Sequence, residues 1–455
     1  MSYFYSEEYY YASEERRREL PEGVDVENYF ATGVVVYDLQ SLRVKWRQHL
    51  DLTTAASEVT ATAWAPPTLV DMDGDGELEV LVPTSLGFVY ALTARGENID
   101  GWPVQMAEVR GQVVAADVDG DLRPEVVAAD VHGNVAAFDA RGRELWERHC
   151  VGGVPRGPSV GDVDGDGRLD VVVATSEGYV YALRGDDGRD MDYFPYRAHG
   201  AVRARALVAK AHDATRGLQV IVPSDDGFLH ILDGEGRADA IDLGEASAAQ
   251  PLAAGDLNGD GLLDLVLAAS SGKVYAFELP HSRYHPLKAQ AREGADAARY
   301  GHAGIYAVEA SRDQSVSGKS FVAKVELVDA RRRPPAGAAS AAPGPYSVSV
   351  TLIGHRPQRA LRAQWEFDEP GSYTLMMDSL QARCTATVRI EMRDGAGARY
   401  ADEFPASFHM VGYRALKFLV AGPLTLMAVL CSLLLSSALG GGGDDALPGA
   451  GALAP

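Results

Sequence analysis

Cysteine is scarce in this 455-residue chain: Cys150, Cys384 and Cys431 stand in three separate segments. They form no CxxC pair and no disulfide framework, which excludes a cysteine-stapled fold and leaves the redox compartment open. Basic residues are outnumbered, with 42 Lys and Arg against 64 Asp and Glu and a formal charge of −22. That balance excludes a nucleic-acid binder, which needs a basic face. No N-x-Ser/Thr sequon occurs. The opening MSYFYSEEYYYASEERRR is charged and aromatic and lacks the apolar core of a secretory signal.

What is present is repetition. DMDGDGELEVLV begins at Asp71, DVDGDLRPEVVA at Asp117, DVDGDGRLDVVV at Asp162 and DLNGDGLLDLVL at Asp256, with a worn copy, AHDATRGLQVIV, at Ala211. The starts are 46, 45, 49 and 45 residues apart, and a glycine follows each start by 16 residues, at Gly87, Gly133, Gly178, Gly227 and Gly272. Each glycine opens an alternating run such as GFVYAL or GKVYAF. A unit of this length, with four short strands separated by turn signals, is a β-propeller blade. GVVVYDLQSLRVKW from Gly33 has the shape of GNVAAFDARGRELW from Gly133, so the array begins before the first intact loop and is expected to be incomplete at its N-terminus.

The expected fold class is all-β: a β-propeller of such blades, an antiparallel β-sandwich and a single C-terminal transmembrane helix. Residues 1–31 read as a charged loop of an incomplete first blade, 32–280 as the propeller and 281–300 as a linker. Alternating strands over 301–410 predict a sandwich of immunoglobulin-like size. FLVAGPLTLMAVLCSLLLSSAL, at 418–439, is free of charge and predicts a membrane helix within 415–439, followed by a low-complexity tail, 440–455.

The chemistry lies in the loops. Asp71, Asp73, Asp75 and Glu79 occupy loop positions 1, 3, 5 and 9, with Gly76 at position 6. Alternate side chains converge on one centre, and oxygen ligands without His or Cys select Ca²⁺ over transition metals. Asp162, Asp164, Asp166 and Asp170, with Gly167, form a second full set. Asp256, Asn258, Asp260 and Asp264, with Gly261, exchange one carboxylate for an amide. Asp117, Asp119, Asp121 and Glu125 keep four acids, but Leu122 replaces the glycine. If Leu122 must take positive φ, strain on the order of 1 kcal/mol makes this the weakest intact site. The worn loop keeps only Asp213, with Ala211, Thr215 and Gln219 at the other positions, and is assigned no metal. A lone DG-rich turn is most simply a hairpin turn; four copies with acids at the same positions are not.

Two other patterns carry less. GPSVG at 157–161 matches the G-x-S-x-G nucleophile elbow, but Ser159 is followed by an acidic loop and a strand rather than a helix. His281 and His285 are four apart, but Pro280 and Pro286 flank them, so no helix presents both to a metal.

The loops resemble the FG-GAP repeats of integrin α-chain propellers, which carry calcium in such loops. A more extensive resemblance rests on SYF, GVVVYDL, VKWRQHLDL, GWPVQMAEVRGQVVAAD, GPSVGDVDGDG, PYRAHG, HPLKA, FVAKVELVD, PGSYTL and DEFPASFHM in that order, then a hydrophobic segment. This series is similar to the plant defective-in-exine-formation proteins. The resemblance implies a calcium-binding, membrane-anchored adhesion or scaffold protein, not an enzyme, that works in assembly of the pollen wall matrix. Its implied partners are a membrane, crossed once, and a lumenal or extracellular matrix protein or polysaccharide. Members of that family begin with a signal peptide and further repeat sequence. Arg414 and Lys417 before the helix, against Asp444 and Asp445 after it, oppose a lumenal propeller under the positive-inside rule; the resemblance and the calcium loops outweigh them. The expected location is therefore a single-pass protein of the plasma membrane or an endomembrane, with propeller and sandwich lumenal or extracellular. The alternatives are a propeller enzyme of the pyrroloquinoline-quinone dehydrogenase type and a bacterial-type assembly scaffold.

Overall fold

The computed structural model describes residues 2–4, 28–38, 41–75, 77–246, 252–258, 260, 262–283, 303–312, 314–329, 344–354, 360–380, 383–395, 399–409 and 413–439. Gly76, Gly261, His285 and residues 440–455, together with most of the expected N-terminal loop and linker, lie outside them.

Up to Arg283 the described strands build six small antiparallel sheets. The second sheet has the order Thr68–Val70, Glu79–Pro83, Phe88–Leu92, Val104–Gln105, and the next three repeat this four-stranded meander. The first sheet, Ser2–Phe4, Tyr29–Asp38 and Arg43–Thr54, and the sixth, Ala253–Gly255, Leu262–Ala268 and Val274–Arg283, have three strands each. Residues 281–283, read as the start of a linker, thus extend a strand.

Short β-rich segments make blades here because both faces of each central strand are apolar. Asp170–Ala174 and Glu125–Ala129 are buried along their whole length. Each such strand packs against the sheets before and behind it, so Val127, Ala129 and Val135 meet Val160, Val171 and Val173 of the next blade. The first strands of successive blades, Thr68–Val70, Val114–Ala116, Ser159–Gly161 and Leu207–Ala209, lie beside one another. This is the propeller arrangement.

Aromatic side chains latch one blade to the next. Trp46 Nε1 donates to Ala94 O at 2.8 Å and Trp146 Nε1 to Gly185 O at 2.7 Å. Both indoles lie on a left-handed glycine of the following blade: a Cβ at Gly96 or Gly188 would stand 2.6 or 2.5 Å from the ring. Tyr193 covers Gly236 in the same way. Hydroxyls of the first strands add a second tie, with Thr68 Oγ1 donating to Val113 O and Ser159 Oγ to Ala206 O, both at 2.6 Å.

The second domain is a two-layer sandwich. Ala303–Ala307, Ser320–Asp329 and Gly371–Asp378 form one sheet. The other runs Ser315–Val316, Arg399–Phe408, Cys384–Arg393, Tyr346–Gly354, Ala360–Phe367. Period-two burial along these strands sends Phe321, Val325, Val350, Val388, Ile390 and Phe404 into the space between the layers. Arg393, the last residue of the middle strand Cys384–Arg393, donates to Gly74 O in the first acidic loop at 2.9 Å.

The C-terminal segment forms the helix Tyr413–Leu439. The expectation of a membrane-spanning helix is corrected: among the described residues no helix is long and apolar enough to cross a membrane. The single-pass membrane location, and the sidedness drawn from it, fall with that helix.

Candidate metal centres

Each acidic loop connects the first strand of a blade to its second. The turn needs left-handed backbone at position 4, where Gly74, Gly120 and Gly165 have φ of +78°, +84° and +75°. Four hydrogen bonds then fix the carboxylates. In the loop at Asp162, Asp162 Oδ1 accepts from the Gly165 amide (2.6 Å), Asp164 Oδ1 from Asp166 (3.0 Å) and Asp166 Oδ1 from Arg168 (2.8 Å). Asp170 Oδ2, on the second strand, reaches back to accept from Val163 N at 2.9 Å. The loops at Asp71 and Asp117 repeat the scheme bond for bond.

This geometry collects carboxylate oxygens. In Asp71, Asp73 and Glu79, in Asp117, Asp119 and Glu125, and in Asp162, Asp164 and Asp170, one oxygen from each residue lies within 4.8 Å of the others. Asp75, Asp121 and Asp166 flank these triplets at position 5. In the fourth loop Asp264 accepts from Leu257 N at 2.9 Å, and Asn258 Nδ2 donates to Asp260 Oδ2 at 2.8 Å. There the amide already holds the neighbouring acid.

Burial grades the triplets from one end. The position-9 residues Glu79, Glu125, Asp170 and Asp264 are 5, 3, 4 and 5% exposed, whereas the position-3 side chains reach solvent. Burial first, then neighbouring carboxylates, raises Glu79 to about 7, Glu125 to about 9 and Asp170 to about 8. Burial lifts Asp117 to about 6 and also raises Asp119 and Asp162. Two like charges at such separations repel by roughly 3 kcal/mol at an effective dielectric of about 20. A divalent cation at the centre reverses the sign of that energy. The donor set, hard oxygens only, therefore fits a metal ion of the Ca²⁺ or Mg²⁺ kind.

Leu122 takes φ of +72°, and its amide donates to Asp117 Oδ2 at 3.1 Å as that of Gly167 does to Asp162 Oδ2 at 3.0 Å. The position-6 amide thus closes on the first acid whether or not a glycine supplies it. Ser159 is wholly buried and accepts from Arg205 Nε at 3.0 Å while it bridges to Ala206 O. It is the counterpart of Thr68, an inter-blade tie. The position-4 glycines and the aromatic latches were legible as recurring Gly and Trp, but only as turn and strand residues.

The family profile described as DEX1 beta-sandwich matches residues 304–409. An FG-GAP-like repeat matches 117–173, spanning the second and third acidic loops, and an FG-GAP repeat matches 252–277, around the fourth. Over these segments the chain is similar to the DEX1-like FG-GAP family. No curated protein matches it.

Among solved structures the DEX1-like chain is similar to BamB from Moraxella catarrhalis, at 13% identity and a TM-score of 0.39, over 83% of this chain and 91% of that one. It is also similar to BBS1N in complex with ARL6DN, at 14% identity and a TM-score of 0.38, over 55% and 74%. Neither likeness is close enough to bear on function. The two matched families are non-enzymatic scaffolds.

Proposed function

We propose that this chain is a calcium-binding adhesion or scaffold module whose acidic loops hold Ca²⁺ at one rim of the propeller. The observation that carries the reading is the threefold gathering of carboxylates at loop positions 1, 3 and 9, with the buried position-9 acid tied to the loop backbone. An ion there links the end of the first strand to the start of the second, and coordination positions left open on the solvent side accept carboxylates of a partner. The partner class is an acidic matrix protein or wall polysaccharide, in keeping with the wall-assembly role that the family resemblance implies.

Calorimetric titration of the chain with Ca²⁺ tests the first step. Heat of binding is expected at millimolar calcium or below, the range common to extracellular modules at about 10⁻⁴–10⁻³ M. Its partial loss is expected in an Asp162→Ala/Asp164→Ala variant; no heat, or an unchanged titration in that variant, refutes the reading. Capture of wall polysaccharides in calcium and in chelator tests the second. A partner that stays bound to calcium-free, still-folded protein removes the bridging mechanism and leaves the ions a structural role.

A further inference from the structure

The loop with the fewest acids is the one most tightly tied. Lys210 precedes position 1 of the worn copy, where the other loops have Val70, Ala116, Gly161 and Gly255. Its Nζ donates to the carbonyls of Thr215 (2.5 Å), Arg216 (3.0 Å) and Gly217 (2.8 Å), at positions 5, 6 and 7. Gln219, at position 9, accepts from the His212 amide at 3.1 Å, the bond that Glu79, Glu125, Asp170 and Asp264 make in their loops. Its Nε2 donates to Gly217 O at 3.2 Å and to the Thr215 hydroxyl. The oxygens that converge inside this loop thus meet an ammonium and an amide.

We infer that Lys210 is the resident cation of the fifth loop, supplied by the chain itself in place of a metal. An ammonium has three donors and no acceptor, and three loop carbonyls take all three. Because the charge is covalently attached, this loop keeps its form when divalent ions are withdrawn. It also has a different task. The Ser282 hydroxyl donates to Lys210 O, the Asp213 amide donates to His281 O at 3.0 Å, and the His212 and His281 rings lie 5.0 Å apart. The end of the strand Val274–Arg283 is therefore held on the lysine-filled loop. The last described strand before the sandwich has a calcium-independent anchor.

The contrast with the other loops rests on the metal reading above; the lysine's own bonds do not. Thermal unfolding of full-length Lys210→Met in calcium and in EDTA is the direct test. The melting temperature is expected to fall by the same few degrees in both, with faster hydrogen exchange at 281–283; a loss confined to calcium overturns the inference. A second pair of variants decides if that one does not fold. Ala211→Asp/Ala214→Gly/Thr215→Asp/Arg216→Gly/Gln219→Asp recreates the acids and the turn glycines of the Asp162 loop around Asp213. With Lys210 kept it is expected to bind no more calcium than the parent, and with Lys210→Gly added it is expected to bind one more ion. An extra ion with Lys210 in place, or none with it removed, refutes the proposal. If the parent itself takes no calcium, the acidic-loop reading fails, while the Lys210→Met comparison still decides this one.

Discussion

Leu122 shows how two single-residue effects are weighed. Its left-handed backbone costs roughly 1–2 kcal/mol, yet its side chain is only 8% exposed. Full burial of a leucine returns about 1.5–3 kcal/mol, so burial outweighs strain. Leu122→Gly is accordingly expected to destabilise the metal-free protein by about 1 kcal/mol although it relieves the backbone. Urea unfolding in EDTA measures it, and a gain in stability contradicts the argument. The position-9 acids give a pH dependence whose sign follows from burial. Glu79, Glu125 and Asp170 titrate near 7, 9 and 8 when folded, above their ordinary carboxylate values. The native state therefore binds more protons than the unfolded chain, so stability is full below about pH 4 and is lost as pH rises through about 7 to 9. Melting temperatures in EDTA are expected to fall from pH 5 to pH 8.5, and saturating calcium is expected to abolish the fall. A metal-free protein more stable at pH 8.5 runs against this.

At the scale of the blade, the decisive contacts run between sheets rather than within them. Gly188 and Gly120 both have left-handed backbones, with φ of +68° and +84°. A Cβ at Gly188 meets the Trp146 ring at 2.5 Å, whereas one at Gly120 meets nothing within 4 Å. Both alanine substitutions bear the conformational cost, but only Gly188→Ala drives the indole off its seat. Gly188→Ala is expected to cost roughly 2 kcal/mol more than Gly120→Ala. Equal losses in denaturant unfolding would show that the latch contributes little. Trp146→Phe keeps most of the packing but leaves the Gly185 carbonyl without its 2.7 Å donor, and is expected to cost about 1–2 kcal/mol.

Across the whole molecule, the bond from Arg393 to Gly74 O connects the sandwich to the first acidic loop. An ion held by that loop would act on the same short turn as the sandwich. Arg393→Ala is expected to speed amide hydrogen exchange across 71–79 while leaving the equivalent loop at 162–170 unchanged. Mass-spectrometric exchange reads both peptides in one experiment; equal acceleration in the two, or none in either, removes the coupling.

Local pattern determined much of this protein. Loop spacing, the DxDxDG acids and the alternating runs from Gly87 to Gly272 are short-range signals, because a hairpin and its turn are set by residues close in sequence. Blade repetition was legible for that reason, and so was the turn at each acidic loop. What packs across blades was not. Ser159 matches an elbow motif that the following acidic loop and strand already argue against, but its role as a buried tie is visible only when Ala206 of the next blade stands over it. Trp46 and Trp146 read as strand ends until a glycine some 40–50 residues later receives them. The hydrophobic C-terminal run illustrates the opposite error: apolar composition suggests a membrane span, and among the described residues no helix is long and apolar enough to be one. The acids that the worn loop has lost give no sign of the role of Lys210. Only the folded loop, bringing three carbonyls to one ammonium, decides that the charge was replaced rather than removed. Side-chain reach of this kind depends on where the backbone places its acceptors, and one-dimensional spacing does not encode that.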